Sequence, residues 1–172
     1  ILKEYTSRWQ AFSCGRKELI STPEKMEKYL YYVVEGVQKS YYLSGHKQHV
    51  IFFAYAPSFS GVVESFLTQT PSKYFLESVT ESHFLRISYH HHQEMIAKYR
   101  SLETLFRVAT ESFLLGVIGR HHELMAFDME KRFRTFLQRS PHLLNLVPHK
   151  DLASYLRIDS TNFSKLINSV PI

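Results

Sequence analysis

The spacing of apolar residues changes character near residue 88. From Tyr29 the stretch YLYYVVEGVQKSYYL is dense in tyrosine and valine, side chains that suit a pleated, half-buried surface, with Gly36 in its middle. This predicts strands with a hairpin or bulge at Gly36. SGHKQ (44–48) reads as a turn, and HVIFFAYA (49–56) as the next strand. Pro57 and Gly61 bracket a loop, and KYFLESVTESHFLRIS (73–88) holds two more strand-like runs around Thr80–Ser82. Residues 29–88 therefore predict short, closely spaced strands, as in a β-sandwich or barrel. Residues 1–30 show little period, with a turn at Thr22-Pro23.

After Ser88 the spacing becomes helical. Ser88 and Ser101 are candidate helix N-caps. Leu102, Leu105, Phe106, Ala109, Phe113, Leu114, Val117 and Ile118 recur at helical intervals. Asp128 opens a further helix, which Pro141 ends. Beyond Pro148, KDLASYLRIDSTNFSKLI (150–167) forms two short amphipathic segments. The first helix is expected over His149–Leu156, with small Ala153 allowing close approach. The turn holds Arg157, Ile158 and Asp159. The second helix, capped by Asp159 or Ser160, turns Phe163, Leu166 and Ile167 inward. A side chain at Arg157 costs roughly 1 kcal/mol or more in a left-handed conformation, which argues against a tight turn there. The segment is either a helix-turn-helix that reads DNA or a hairpin that closes a core.

Composition narrows the class. The chain of 172 residues is 44% hydrophobic, with 13 Phe and 11 Tyr, enough to build a core. Cys14 is the single cysteine, so disulfide frameworks and multi-cysteine metal sites are excluded, and a reducing cytoplasm fits. No apolar run reaches the roughly 20 residues of a membrane span. The sequence opens at Ile1, as a fragment would, without a visible signal peptide; a cytoplasmic protein with no membrane partner is expected. Net charge is +5, of which +3 falls after residue 119, a bias that suits a polyanion.

In their order and spacing, YYVVEGVQKSYY (31–42), APSFSG (56–61), ESFLTQTPSKYFLES (64–78), FLRISY (84–89) and VPHKDLASYLRIDSTNFSKLI (147–167) resemble the Crp/Fnr transcription regulators. The likeness runs over about residues 10–170 and points to a divergent, Bacteroidetes-type branch. It implies an α+β chain in three parts. Residues 1–99 would form a cyclic-nucleotide-binding-like jelly-roll sensor. Residues 100–124 would be a linking and dimerisation helix. Residues 125–172 would be a winged-helix-type helix-turn-helix domain, incomplete because the sequence stops at Ile172 without a wing. Partners implied are duplex DNA, a second copy of the chain, and RNA polymerase.

In nucleotide-binding members the loop matching 61–73 cradles a phosphate on a helix start, aided by a Gly-Glu pair and a later Arg-Ser/Thr pair. The corresponding pocket here would involve Gly61, Val62, Glu64, Ser65, Ser72 and Lys73. Gly61 is kept, but Val62 replaces the carboxylate and Ser72 the guanidinium. Losing two charge-assisted contacts of about 1.5–3 kcal/mol each removes several orders of magnitude in affinity. Cyclic AMP is therefore not the expected effector, and no cofactor is assigned; a different small ligand or a filled pocket remain as alternatives.

The implied recognition helix offers Ser160, Thr161, Asn162, Ser164 and Lys165 to DNA. Lys165 can grip guanine and Asn162 can pair with adenine; Ser and Thr discriminate little. The implied dimer face is Leu102, Leu105, Phe106, Ala109, Phe113 and Val117. The histidine runs at 90–92 and 121–122 lack the i, i+4 spacing of helical metal ligands, and no metal site is expected. No catalytic set is visible, so the chain is not expected to be an enzyme. Two rival readings stand. One is a regulatory module without DNA binding, whose β-roll takes a nucleotide-like ligand or a protein partner. The other is a metal-dependent cupin-like enzyme, for which only His46 and His49 are available among the strands before His83.

Overall fold

The β-rich stretch folds as two antiparallel sheets. The computed structural model describes residues 1–170. A short helix α1 (Leu2–Thr6) precedes β1 (Gln10–Cys14), β2 (Leu19–Ser21), β3 (Tyr29–Glu35), β4 (Val37–Ser44), β5 (Lys47–Tyr55) and β6 (Ser58–Ser60). Then come α2 (Val63–Thr68), β7 (Phe75–Ser78) and β8 (Ser82–Ser88). One four-stranded sheet has the order β1-β8-β3-β6 and the other β2-β7-β4-β5. Apart from the β4–β5 pair, consecutive strands alternate between sheets, as in a jelly roll.

Gly36 marks one of those exchanges and does not form the hairpin turn that its position suggested. β3 and β4 on either side of it belong to different sheets, and a register irregularity at Val33–Glu35 supplies the bulge. Its φ is +95°, and a Cβ would lie 2.5 Å from the Glu81 carbonyl oxygen, so only glycine fits this corner. The SGHKQ turn does join a hairpin: Ser44 pairs with Lys47 across it, with Gly45 at positive φ. Helix α1 and strands β1 and β2 lie in the stretch that showed no period; each is too short to display one.

Between the sheets Cys14, Tyr31, Val33, Ala54 and Phe84 form the core, lined by Phe12, Ile20, Tyr29 and Phe52. Residues paired across a ladder point to the same face. Phe84 pairs with Phe12 and Val33, making an apolar row on the inner face of the first sheet. The next row inward-facing on β8 is Arg86, paired with Gln10 and Tyr31, and Tyr31 pairs in turn with Ser60.

Helix α3 (Tyr89–Lys98) starts at Ser88, whose hydroxyl accepts from the His91 amide, as expected. Ser101 is not a cap: α4 (Arg100–Ala126) begins one residue earlier, after Tyr99 leaves the helical region at φ −126°. His92 on α3 is buried against Tyr5 and Phe66, and shares a 2.9 Å hydrogen bond with the Tyr5 hydroxyl. Burial lowers its pKa to about 4. Glu4 accepts from Lys98 at 2.8 Å and from the Tyr99 hydroxyl at 2.6 Å, fastening α1 to the end of α3.

The chain divides into two compact units, Ile1–Glu103 and a second that starts at Thr104. The second contains most of α4, then α5 (Met129–Arg139), α6 (Leu143–Leu146), α7 (His149–Leu156) and α8 (Ser160–Ser169). Asp128 caps α5 by accepting from the Lys131 amide at 2.8 Å. Phe133, Phe136, Leu152, Leu156 and Phe163 are buried together, with the Phe133 and Phe163 rings edge to face at 5.5 Å. No helix among the described residues is long and apolar enough to cross a membrane.

Candidate nucleic-acid interface and sensor pocket

The link between α7 and α8 is a left-handed turn despite its arginine, contrary to the sequence expectation. Arg157 sits at φ 54° and ψ 46°, and the Ile158 amide donates back to the Ala153 carbonyl at 3.0 Å. This is the bonding of a Schellman cap, usually built on glycine. The Arg157 carbonyl also accepts from Arg132 at 3.3 Å, and Ile158 is buried beneath the turn, so surrounding contacts offset the strain.

Asp159 caps α8 by accepting from the Asn162 amide N–H at 2.9 Å and from its side-chain Nδ2 at 2.5 Å. These bonds hold the Asp159 carboxyl below its usual range. They also turn Asn162 back toward the cap and away from the open face. Ser160, Thr161, Ser164 and Lys165 are exposed, and Ser164 Oγ donates to the Ser160 carbonyl at 2.9 Å. Asn168 joins that face, exposed at three and four residues beyond Lys165 and Ser164. Sequence reading passed over it, although the spacing was there to find it.

Charge in this unit separates into inward and outward groups. Arg139 donates to both oxygens of Glu123, at 2.6 and 3.2 Å, and Arg120 donates to Glu123 at 3.1 Å while lying 4.2 Å from the Tyr155 ring. Burial pushes Glu123 up, but the two guanidiniums outweigh it and hold the carboxyl below its ordinary value. Arg132 is spent on backbone carbonyls. Lys150, Arg157 and Lys165 are left exposed around α7, the turn and α8, with no side-chain partner among the described residues. Around α7 and α8 the cations available to a polyanion are therefore these three, while Lys131 on α5 is exposed over the Phe127 ring.

The loop expected to form a ligand pocket closes on itself. Gly61 has φ +136°, and Val62 is buried at the head of α2. Ser65 accepts from the Glu27 amide at 2.9 Å and donates to the Thr70 carbonyl at 2.6 Å. Ser72 accepts from the Tyr74 amide at 2.9 Å and donates to its carbonyl at 2.8 Å. Glu64 and Lys73 are exposed. The residue that sequence reading missed is Glu27, buried beside this loop. Its carboxylate accepts from the Ser21 hydroxyl and from the Tyr29 amide at 3.2 Å. Burial pushes its pKa up, while those bonds and the backbone amides of Val62 and Lys28 partly oppose the shift. A carboxylate thus stands at the head of α2, where a bound phosphate would need cations.

Along α4 the predicted dimer stripe divides. Leu102 is buried, Phe106 and Ala109 are half-buried, and Leu105, Phe113 and Val117 are exposed. Leu114, Leu115 and Ile118 are exposed beside them. Gly116 and Gly119 have open space where a Cβ would stand. The histidines do not converge: among the described residues no three His, Cys, Asp or Glu side chains are placed to hold a metal ion.

A β-roll of two antiparallel sheets, a long helix and a helix-turn-helix together make the two-domain α+β fold of the Crp/Fnr regulators, and this chain has it. FixK2 from Bradyrhizobium japonicum superposes with a TM-score of 0.83 at 18% identity, over 94% of this chain and 84% of that one. A structure from Eubacterium rectale, reported as a Crp/Fnr-family transcriptional regulator, gives 0.76 at 12% identity, over 96% and 80%. CLP of Xanthomonas campestris, a c-di-GMP-responsive global regulator, gives 0.71 at 15% identity, over 98% and 89%. No protein-family model and no curated protein sequence matches the chain.

Proposed function

We propose that the chain is a DNA-binding, non-enzymatic transcription regulator of the Crp/Fnr type, working in the cytoplasm as a symmetric homodimer. The observation that carries this reading is the helix-turn-helix itself. α8 is held by a buried Phe163 and a side-chain cap, and it turns Thr161, Ser164, Lys165 and Asn168 to solvent, with Lys150 and Arg157 nearby in sequence. Such a face suits a major groove, with backbone phosphates supplying affinity and few base edges being read. The exposed apolar residues of α4 are the surface on which two copies would pair, and the two glycines would let the helices approach closely. RNA polymerase belongs to the same reading as a further partner.

An effector in the roll would act by biasing the spacing of the two recognition helices, so that both do or do not fit successive major-groove turns about 34 Å apart. Cyclic AMP is not that effector in this reading, because Val62 and Ser72 supply neither carboxylate nor guanidinium and Glu27 brings a buried carboxyl group, not a cation, to the head of α2. Calorimetry with cyclic AMP checks this: no binding tighter than micromolar is expected, and tighter binding refutes it. DNA binding is tested by selection of genomic fragments on the purified protein. Enrichment of a two-fold symmetric site is expected; recovery of random sequence at low salt alone contradicts base reading.

A further inference from the structure

The interior of the β-roll carries polar groups that the fold leaves unused. On the inner face of the first sheet, Arg86 of β8, Tyr31 of β3 and Ser60 of β6 stand in one row, paired directly across the ladders. The Arg86 guanidinium lies between two rings, 4.4 Å from the centre of Phe12 and 4.3 Å from that of Tyr29. Its Nε is buried and has no hydrogen-bond partner among the described residues, and the same holds for Ser60 Oγ. Glu27 also neighbours Tyr31. Buried polar atoms in folded proteins are almost always bonded, so two orphans in one row call for an acceptor the chain does not provide. Gly61, immediately after Ser60, comes close enough that a Cβ there would stand 3.7 Å from the Tyr31 ring.

We infer that this row is an anion site: Arg86, with Ser60 and Tyr31 beside it, binds the carboxylate or phosphate of a small organic molecule inside the roll. The two neighbouring rings hold the guanidinium in place, and a guanidinium so held offers a forked contact to an oxyanion, the geometry in which arginine surpasses lysine. Ser60 Oγ donates to the same group, and Tyr31 offers a second hydroxyl. The cation comes from β8 and not from the loop at 61–73. The site therefore differs from the phosphate cradle that the family resemblance implied, which Ser65, Ser72 and Glu27 fill. This deepens the sensor part of the proposed function, but its test is independent of DNA.

The whole protein, labelled with 15N-arginine, is titrated with phenyl phosphate, with benzoate and with benzyl alcohol as the neutral counterpart. The Nε–H resonance of Arg86, assigned by loss in Arg86→Lys, is followed by NMR, and affinity is followed by calorimetry. A saturable shift with at least one anion and none with benzyl alcohol is expected, and the anion that binds more tightly separates phosphate from carboxylate effectors. Arg86→Lys should weaken binding about tenfold or more, since it keeps the charge and loses the fork. Ser60→Ala should weaken it a few-fold. No shift with either anion at concentrations of order 10 mM overturns the inference, as does unchanged affinity in Arg86→Lys. Should that variant not fold, the wild-type titration decides, with Ser60→Ala as the variant. A protein that binds the anion but not DNA keeps this site and loses the regulator reading; the reverse result removes the site alone.

Discussion

Helices α4 and α8 both turn a broad face to solvent, and the faces are chemically opposite. That of α4 is leucine, valine, isoleucine and phenylalanine around two glycines; that of α8 is threonine, serine, asparagine and lysine. Apolar residues scattered singly over a surface need no partner, but a continuous apolar run along one helix does. In the proposed function each face takes a different occupant, a second apolar helix for α4 and a hydrated polyanion for α8. A substitution on one should be nearly silent on the other's own contact, and this separation is what experiments can break.

The largest effect is expected from Phe113→Glu. Placing a charge in an apolar helix pair costs roughly 3 kcal/mol or more, so sedimentation should show monomers where the wild type is dimeric. DNA affinity should then fall by about 10²–10⁴-fold through loss of the second attachment alone. Wild-type protein that is monomeric at micromolar concentration would break the comparison at once.

Acid should act on the roll before it acts on either helix face. His92 is held neutral, with its pKa lowered to about 4 by burial against an ordinary value of 6.5. Its contribution is fully present above pH 6.5 and is lost as pH falls toward 4, amounting to roughly 3 kcal/mol. The Glu123 carboxyl in the helical unit is depressed, so its contribution persists until pH falls below the ordinary carboxylate range. Hydrogen exchange between pH 6.5 and 4 should show α1 and α3 opening while the α7–α8 pair stays protected. Replacement of His92 by phenylalanine should flatten that response, and an unchanged acid profile would contradict the assignment.

Next in size is Lys165→Ala, expected to weaken a preferred site by about 1–3 kcal/mol if the lysine reads a base. If it touches only phosphate, all sequences should weaken alike and the salt slope should drop by about 1. In either case the oligomeric state should not change. The smallest effect is Arg157→Gly, which relieves the left-handed residue and should raise stability by about 1 kcal/mol or less in urea unfolding. It also removes one exposed cation, so a modest loss of salt-dependent affinity is expected with it.

Periodic segments were legible in the sequence. The helical course of α4, the Ser88 and Asp128 caps and the inward Phe163 all follow from spacing and capping chemistry. Short or long-range features were not. β1 and β2 carry too few residues for a period, and Gly36 reads as a hairpin or a bulge because sequence cannot tell a turn within a sheet from a corner between two. Arg157 reads as hostile to a left-handed turn because the support from Arg132 comes from another helix. At the site, the exposed part of α8 was legible, while the capping role of Asn162 and the place of Asn168 needed the structure. The pocket was the least legible: Glu27 lies far upstream of the loop it fills, and Arg86 looks like an ordinary strand residue until its ladder partners are known.

The measurement that bears most directly on the central claim is fluorescence anisotropy of labelled duplex DNA with the intact protein at stepwise salt, wild type beside Lys165→Ala. The account predicts tight binding at low salt and a steep log–log decline, at about 0.9 per neutralised phosphate, from the Lys150, Arg157 and Lys165 sets of two copies, with the slope or site preference reduced in the variant. Absence of binding at low salt, with or without cell extract to supply an effector, would contradict it and leave the chain a ligand-binding module without a role on DNA.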